Sequence, residues 1–392
     1  MPTVNLDRQI KRHVAARPQM FYGVTMPGQE TLCAQELARL PAQSRVVSSE
    51  KGGVLFHGKL ETLYAANLHL RTAGRILMRL TEFKATNFRQ LTQKVSQLPW
   101  SYFLPQGCLP TFKVSCRHSR LYHSKAVADH IFQAIEDYWH HQQIPTHRSQ
   151  NQCLHVRIVH DSATLSLDSS GAGLYQRGLK THGGKAPLRE TMAAVILILA
   201  GYDGTLPLLD PMCGTGTFSL EAALMAKAIA PGSYRHFTFE QWPSFKETQW
   251  HHLKKKAREQ TRLLPQPMIL ASDINAAACE KLHRCVTTHQ LGDAVAVQQH
   301  DFFSLTPPHP KTEGPDHGLV VLNPPYGHRL ASDQNTAARF REIIMKLQTD
   351  FKKWRIALLV PEEHLQKRLA FEHRIVPIVH GGLQLSLILG RV

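Results

Sequence analysis

No two cysteines in this 392-residue chain are spaced Cys-x-x-Cys. The seven thiols, at 33, 108, 116, 153, 213, 279 and 285, are scattered and odd in number. That usage fits reduced thiols in a reducing compartment and argues against a zinc ribbon or an iron–sulfur cluster. The 24 histidines supply no metal set either, because His140-His141 and His251-His252 lack a third ligand at metal spacing. No metal is expected. Long apolar runs are missing too: the longest, Met192 to Ala200, falls short of the ~20 residues that span a bilayer. Residues 1–16 are polar and basic without an apolar centre, so neither a secretory leader nor membrane association is expected. The expected location is cytoplasmic. The chain also lacks G-x-G-x-x-G and a P-loop lysine, which disfavours a nicotinamide oxidoreductase and phosphate cradling.

What the chain has is positive charge. Lys and Arg number 46 against 30 Asp and Glu, a formal net charge of +16. Residues 1–180 hold 22 basic and 11 acidic side chains, while residues 181–392 hold 24 and 19. The excess therefore lies mainly in the front half. It is dispersed rather than blocked, which points to a folded basic surface for a polyanion, meaning nucleic acid. No obligate protein partner is evident.

The hydrophobic pattern divides the chain into four stretches. Residues 1–19, with Pro2 and Pro18, read as a loose arm. Residues 20–86 read as a small α/β unit, with strands at 21–24, 52–56 and 75–83 and helices at 28–40 and 60–70. A second unit, 87–180, has a strand over 109–117 that delivers Arg117, His118 and Arg120 into a loop. A helix capped by Ser124 follows, then a hairpin from 155–159 and 163–167. From 185 to 392, strands (206–210, 268–272, 295–299, 318–322, 355–360, 374–379, 383–389) alternate with helices (187–201, 217–229, 275–290, 335–350). That alternation builds a parallel sheet with crossovers. Residues 231–267 are long for a connection. They read as an insertion whose Phe237, Phe239, Trp242, Phe245 and Trp250 anchor it to the flank of this sheet.

Four of these strands end in polar groups. Leu206 to Asp210 runs into Pro211-Met-Cys213-Gly214-Thr-Gly216-Thr217, where the two glycines let backbone approach a ligand and Thr217 opens a helix. Asp273 ends the next strand, where an open α/β sheet places a carboxylate against ribose hydroxyls. Asp301 and Asn323 end the following two. Helix capping explains Asp273 or Asp301 singly, but four together make the crevice of a doubly wound sheet. Asn323-Pro324-Pro325-Tyr326 adds an amide and an aromatic ring on a rigid backbone without proline donors. Such a loop suits methyl transfer to the amino group of a base.

These residues resemble the class I S-adenosylmethionine-dependent methyltransferases of the Asn/Asp-Pro-Pro-Tyr type. More narrowly, Asp210 to Thr217, Asn323 to Gly327 and Pro187-Leu-Arg-Glu-Thr191 are similar to those of the THUMP-containing RNA guanine-N2 methyltransferases, including the bacterial enzymes acting on 23S rRNA. Gly52 to Phe56 with Leu63 to Arg75 resembles their ferredoxin-like domain. Phe112 to Tyr138, Leu165 to Asp168 and Tyr175 to Gly178 resemble THUMP. The resemblance implies an α/β protein: a Rossmann-like seven-stranded methyltransferase sheet with its last pair antiparallel, preceded by ferredoxin-like and THUMP domains. It implies S-adenosyl-L-methionine held by Pro187, Arg189, Glu190, Thr191, Asp210, Pro211, Cys213, Gly214, Gly216, Thr217, Asp273, Ile274, Asp301, Phe302 and Asn323. Asn323, Pro324, Pro325 and Tyr326 would be catalytic. Arg117, His118, Arg120, Lys125, Arg177 and Lys180 would meet RNA phosphates. Relatives can carry a second methyltransferase domain after this one; with the chain ending at Val392, only guanine-N2 activity is expected. The expected RNA is rRNA, with tRNA the runner-up. A DNA adenine-N6 enzyme or a silent RNA-binding assembly factor are further alternatives.

Overall fold

A computed structural model describes residues 3–180, 188–307, 318–325, 333–361, 369–380 and 383–392. The chain forms two compact units: residues 1–175 with 232–256, and residues 176–231 with 257–392.

The first unit is built on one seven-stranded sheet. Its strands are β1 (Gln19–Val24), β2 (Ser44–Glu50), β3 (Gly53–Gly58), β4 (Arg75–Lys84), β5 (Cys108–Arg117), β6 (His147–Val159) and β7 (Ser162–Asp168), in the order β2-β3-β1-β4-β7-β6-β5. All pairings are antiparallel except β5 with β6, which needs a crossover helix between them. The ferredoxin-like and THUMP-like stretches therefore share a sheet, joined by the β4–β7 ladder. Helix α1 (Thr3–Ile10) and a π-turn over Lys11–Ala15 replace the expected loose arm, because Ile10 and Val14 are buried and Gln9 accepts from the Tyr102 hydroxyl. Helices α2 (Glu30–Ala38), α3 (Leu60–His69), α4 (Phe88–Ser96) and α5 (Ser124–His141) complete the unit. Ser124 is the first residue of α5 and not its cap; His123 holds that position without a side-chain bond. The helix buries Val127, Ile131, Ala134, Ile135 and Trp139, an apolar stripe at helical spacing.

Residues 232–256 also belong to this unit, which corrects the expectation that the insertion leans on the methyltransferase sheet. Phe239 stacks on Tyr64 of α3 at 4.6 Å between ring centres, and Trp250 meets Phe239 edge-on at 5.2 Å. The Trp242 indole donates to Gln152 at 3.1 Å, and the Lys246 amide donates to the Tyr64 hydroxyl at 3.1 Å. Aromatic burial fixes the segment, and these polar tips specify its register.

The second unit holds the other seven-stranded sheet. Its strands are β8 (Leu208–Asp210), β9 (Ile269–Asp273), β10 (Val295–Gln299), β11 (Gly318–Leu322), β12 (Trp354–Pro361), β13 (Glu372–His380) and β14 (Leu383–Arg391), in the order β10-β9-β8-β11-β12-β14-β13. The first five run parallel, and β14 pairs antiparallel with both β12 and β13. The expected α/β sheet with an antiparallel last pair is what the structure shows. Helices α6 (Glu190–Leu199), α7 (Thr217–Ala226), α9 (Ala276–Thr288) and α10 (Asp333–Asp350) accompany it, with α8 (Glu247–Glu259) between α7 and α9 in the chain. Every residue of β11 is buried, as a strand covered on both faces requires. Phe302, Phe340, Phe351 and Trp354 pack with Val320 and Leu322 in the core below the strand tips.

Candidate active site

The switch point of the second sheet lies between β8 and β11, where the strand order reverses. Open α/β sheets bind ligands in the crevice at the carboxyl ends of strands flanking that point. A cavity of about 490 Å³ opens there. Pro211, Cys213, Gly214 and Thr217 after β8, Asp273 and Ile274 after β9, Asp301 and Phe302 after β10, and Asn323, Pro324 and Pro325 after β11 line it. Four neighbouring strands thus converge on one space, as their sequences imply.

The two glycines have different reasons for being there. Gly214 has φ +52°, and a Cβ on it would meet nothing within 4 Å, so its bare backbone faces the open cavity. Gly216 has φ +75°, and a Cβ there would lie 2.3 Å from Leu282 Cδ1. Its constraint is packing against α9 as well as chirality. Only Gly214 is left by the geometry to approach a ligand. The Gly214 amide donates to Asp273 Oδ2 at 2.8 Å, and the Asn275 amide donates to Asp273 Oδ1 at 2.9 Å. The Asp273 carboxylate therefore holds the glycine loop while bordering the cavity.

Asp210 differs from its expected role. It is fully buried, does not line the cavity, and accepts from the Ser219 hydroxyl at 2.6 Å and the Ser219 amide at 3.2 Å. Burial, partly opposed by those bonds, raises its carboxyl pKa to about 7. Asp210 locks the first turn of α7 and positions the loop from beneath. Arg189, Glu190 and Thr191 likewise stand back from the cavity, and Leu188 lines it in their place. Glu190 lies 3.9 Å from Lys180, whose ammonium donates to Thr217 Oγ1 at 2.7 Å. Burial holds Lys180 below and Glu190 above their ordinary ranges, each opposed by the other's charge.

Two expected RNA contacts are thereby overturned. Arg177 and Glu221 form a buried pair at 3.2 Å, with side-chain exposures of 2% and 1%. Neither this guanidinium nor the Lys180 ammonium is presented to a phosphate. Arg117, His118, Arg120 and Lys125 are exposed, at the end of β5, in the loop beyond and at the start of α5.

Asn323 carries the most telling atom. Its side-chain oxygen is buried and has no hydrogen-bond partner among the described residues. A buried acceptor left unmatched costs about 1–3 kcal/mol unless something donates to it, and this one adjoins the cavity. Ile274 is 66% exposed although apolar, and with Phe302 it gives the space an apolar surface for a flat ring. The residues fit a nucleoside-bearing ligand: carboxylates for its hydroxyls and amine, apolar faces for its base. Pro187 and Tyr326 lie outside the described residues.

The sequence reading missed several cavity residues. Asn275 caps α9 through its side chain, and Arg339 and Ile343 lie four residues apart on one face of α10. The Arg339 guanidinium sits 4.0 Å from the centre of the Phe303 ring. Their helical spacing was readable, but which helix face meets the crevice was not.

Comparison with known proteins agrees with this geometry. A model of the RMKL-like methyltransferase domain matches residues 177–384, one of the RlmL ferredoxin-like domain matches 21–77, and a THUMP domain model matches 85–168. A Synechocystis protein provisionally called an RNA methyltransferase is 31% identical over 387 residues, covering 95% of this chain and 97% of that one. The ribosomal RNA large subunit methyltransferase K/L of Methylococcus capsulatus is 33% identical over 381 residues, covering 94% of this chain. The chain spans half (50%) of that relative's length. Among solved structures, SMU.472, provisionally described as a methyltransferase and crystallised with SAH, superposes with a TM-score of 0.81 at 28% identity, covering 96% of this chain and 98% of that one.

Proposed function

The chain belongs to the THUMP-containing, RMKL-like RNA methyltransferases, and from that premise we propose that it methylates the exocyclic N2 amine of a guanine in RNA, with 23S rRNA as substrate. The cofactor is S-adenosyl-L-methionine, which supplies a methyl group on cationic sulfur. Asp273 would take its ribose hydroxyls and Asp301 its adenine amine, while Gly214 lets the methionine end lie against bare backbone.

One observation carries the reading: the unmatched side-chain oxygen of Asn323 at the tip of β11, beside the cavity. A base must leave its stack to reach this point. The N2 lone pair of guanine is delocalised into the ring and is a poor nucleophile. An amine donating to Asn323 and to the Pro324 carbonyl has its lone pair turned out of the ring plane and aimed. Orientation of this kind supplies most of the acceleration, because transfer from a cationic donor needs no strong base. Tyr326 is the stacking partner for the extruded base in this reading, worth ~1–3 kcal/mol. Arg117, His118, Arg120 and Lys125 hold the RNA by its phosphates.

The test is methylation by labelled cofactor of protein-free 23S rRNA, and separately of tRNA, followed by nucleoside analysis. N2-methylguanosine in 23S rRNA is expected. Label confined to tRNA overturns the choice of RNA, and label on an adenine amine overturns the choice of base.

A further inference from the structure

The first unit contains a chemical cluster of its own. Cys153 and His155 alternate along β6, so both point to one face of the sheet. His155 pairs with Ser166 of β7, which places Asp168, two residues on, on that same face. The candidate ligand atoms of Cys153, His155 and Asp168 all lie within 4.8 Å of one another. Cys153 and Asp168 border a cavity of about 430 Å³ lined also by Lys113 of β5, Arg75 of β4, and His236 and Gln241 of the inserted segment.

A thiol, an imidazole and a carboxylate suit either a divalent cation or an activated nucleophile. The carboxylate decides between them. Asp168 Oδ1 accepts the Ser170 and Gly171 amides at 2.9 and 3.2 Å, and Oδ2 pairs with the Arg75 guanidinium. Its oxygens are already engaged, and a fixed positive charge stands where a metal would need to bind. His155 Nε2 lies 3.7 Å from Asp168 Oδ2 and has no hydrogen bond of its own among the described residues. This is the order of a nucleophilic relay, with the carboxylate facing the imidazole and the imidazole serving the thiol.

We propose that Cys153 is a reactive thiolate, set up by His155 and Asp168, that undergoes exchange with small disulfides bearing carboxylate groups. Its sulfur attacks one sulfur of the disulfide, the S–S bond breaks, and the departing thiolate takes a proton from the His155 imidazolium. A mixed disulfide on Cys153 and one free thiol result. Lys113 at the cavity wall supplies positive charge toward the incoming carboxylates. The other cysteines give the contrast. Burial raises the thiols of Cys33, Cys108, Cys116, Cys213, Cys279 and Cys285. At Cys153 burial acts the same way, but the neighbouring His155 imidazole outweighs it and holds the thiol below its ordinary range. Burial would lower His155, and Asp168 and Cys153 raise it instead.

The test treats the full chain with glutathione disulfide and follows each cysteine by peptide mass. The expected result is glutathione on Cys153 at least about tenfold faster than on Cys116, which is also half-buried. The charged and titratable groups around the thiol are His155 on its own strand and, along the cavity, Asp168, Arg75, Lys113 and His236. Of these, His155→Asn should remove the advantage and return the rate to the pH dependence of an ordinary thiol. The pH profile of the unaltered protein is an independent measure should that variant fold poorly: as pH falls, the rate at Cys153 should decline at a lower pH than the rate at Cys116. Equal rates at Cys153 and Cys116, or stoichiometric Zn²⁺ binding abolished by Cys153→Ser, would overturn the proposal.

Discussion

The two sheets place their chemistry differently. In the second unit the central strands β8 and β11 are parallel and buried throughout, so their polar side chains stand at the strand tips. β11 is buried throughout, and the first polar residue beyond it, Asn323, is the one that reaches the cavity. In the first unit most strand pairs are antiparallel, and β6 alternates between buried and accessible positions over its second half. Charge and thiol chemistry there spread over a face, where Cys153, His155 and Asp168 meet from two strands. A parallel sheet thus announces its site at the end of each apolar run, whereas an antiparallel one hides it among ordinary alternating polar residues.

The largest effect expected from this contrast is at a strand tip. Asn323→Ala should lower single-turnover methylation by about 100-fold or more, the scale of losing one hydrogen bond made to the reacting group. Cofactor affinity, measured by titration, should change less than about threefold. Near-unaltered turnover would break the link between strand tips and chemistry. Next is Arg177→Met, which removes the guanidinium paired with buried Glu221 in the second unit. Breaking a buried pair from one side costs about 3–5 kcal/mol, to be read from urea unfolding. A loss below about 1 kcal/mol would mean that this arginine behaves as a surface charge after all.

Asp210 sharpens the comparison through pH. Its carboxyl titrates near about 7 in the fold against an ordinary 3.8, so folding takes up a proton between those values. The stability this contributes is complete below 3.8 and is lost as pH rises through about 7. Urea midpoints should therefore fall between pH 5 and pH 8, and fall less in Asp210→Asn, which is neutral throughout. An equal fall in both proteins would remove the assignment. The smallest effect belongs to the accessible face of the first unit. Arg120 is 75% exposed and lies 4.0 Å from Asp161, so Arg120→Ala should change stability by less than about 1 kcal/mol. The slope of log RNA affinity against log salt should become shallower by about 1. An unaltered slope would exclude Arg120 from the RNA surface.

Much of the second unit was legible because apolar runs and helical periods alternate without interruption. The run 318–322 matches β11 end to end, and 295–299 matches β10. The first unit was read less fully. Ser44–Glu50 escaped notice because β2 is an edge strand with almost no buried side chain to pattern it. Helix α4 escaped because nine residues with two buried ones make a weak period. The aromatics of the insertion were readable as buried, but pattern cannot say against what, and Tyr64 turned out to be the anchor. Charged residues failed for a similar reason. Arg177 looks like any surface arginine until Glu221, distant in sequence, is folded against it. Asp210 ends its strand as Asp273 and Asp301 do, yet it turns toward Ser219. Residue type and spacing identify the tips; direction is a tertiary property.

Because Phe239, Trp242 and Trp250 belong to the first unit while following α7 in the chain, a ribosome making this protein cannot finish the earlier body before starting the later one. A nascent chain released after β7 would leave the ring of Tyr64 uncovered and Gln152 without its indole. Proteolytic trimming or recombinant expression of residues 1–175 should accordingly yield a sticky fragment, cured by adding back the peptide 232–256 in trans.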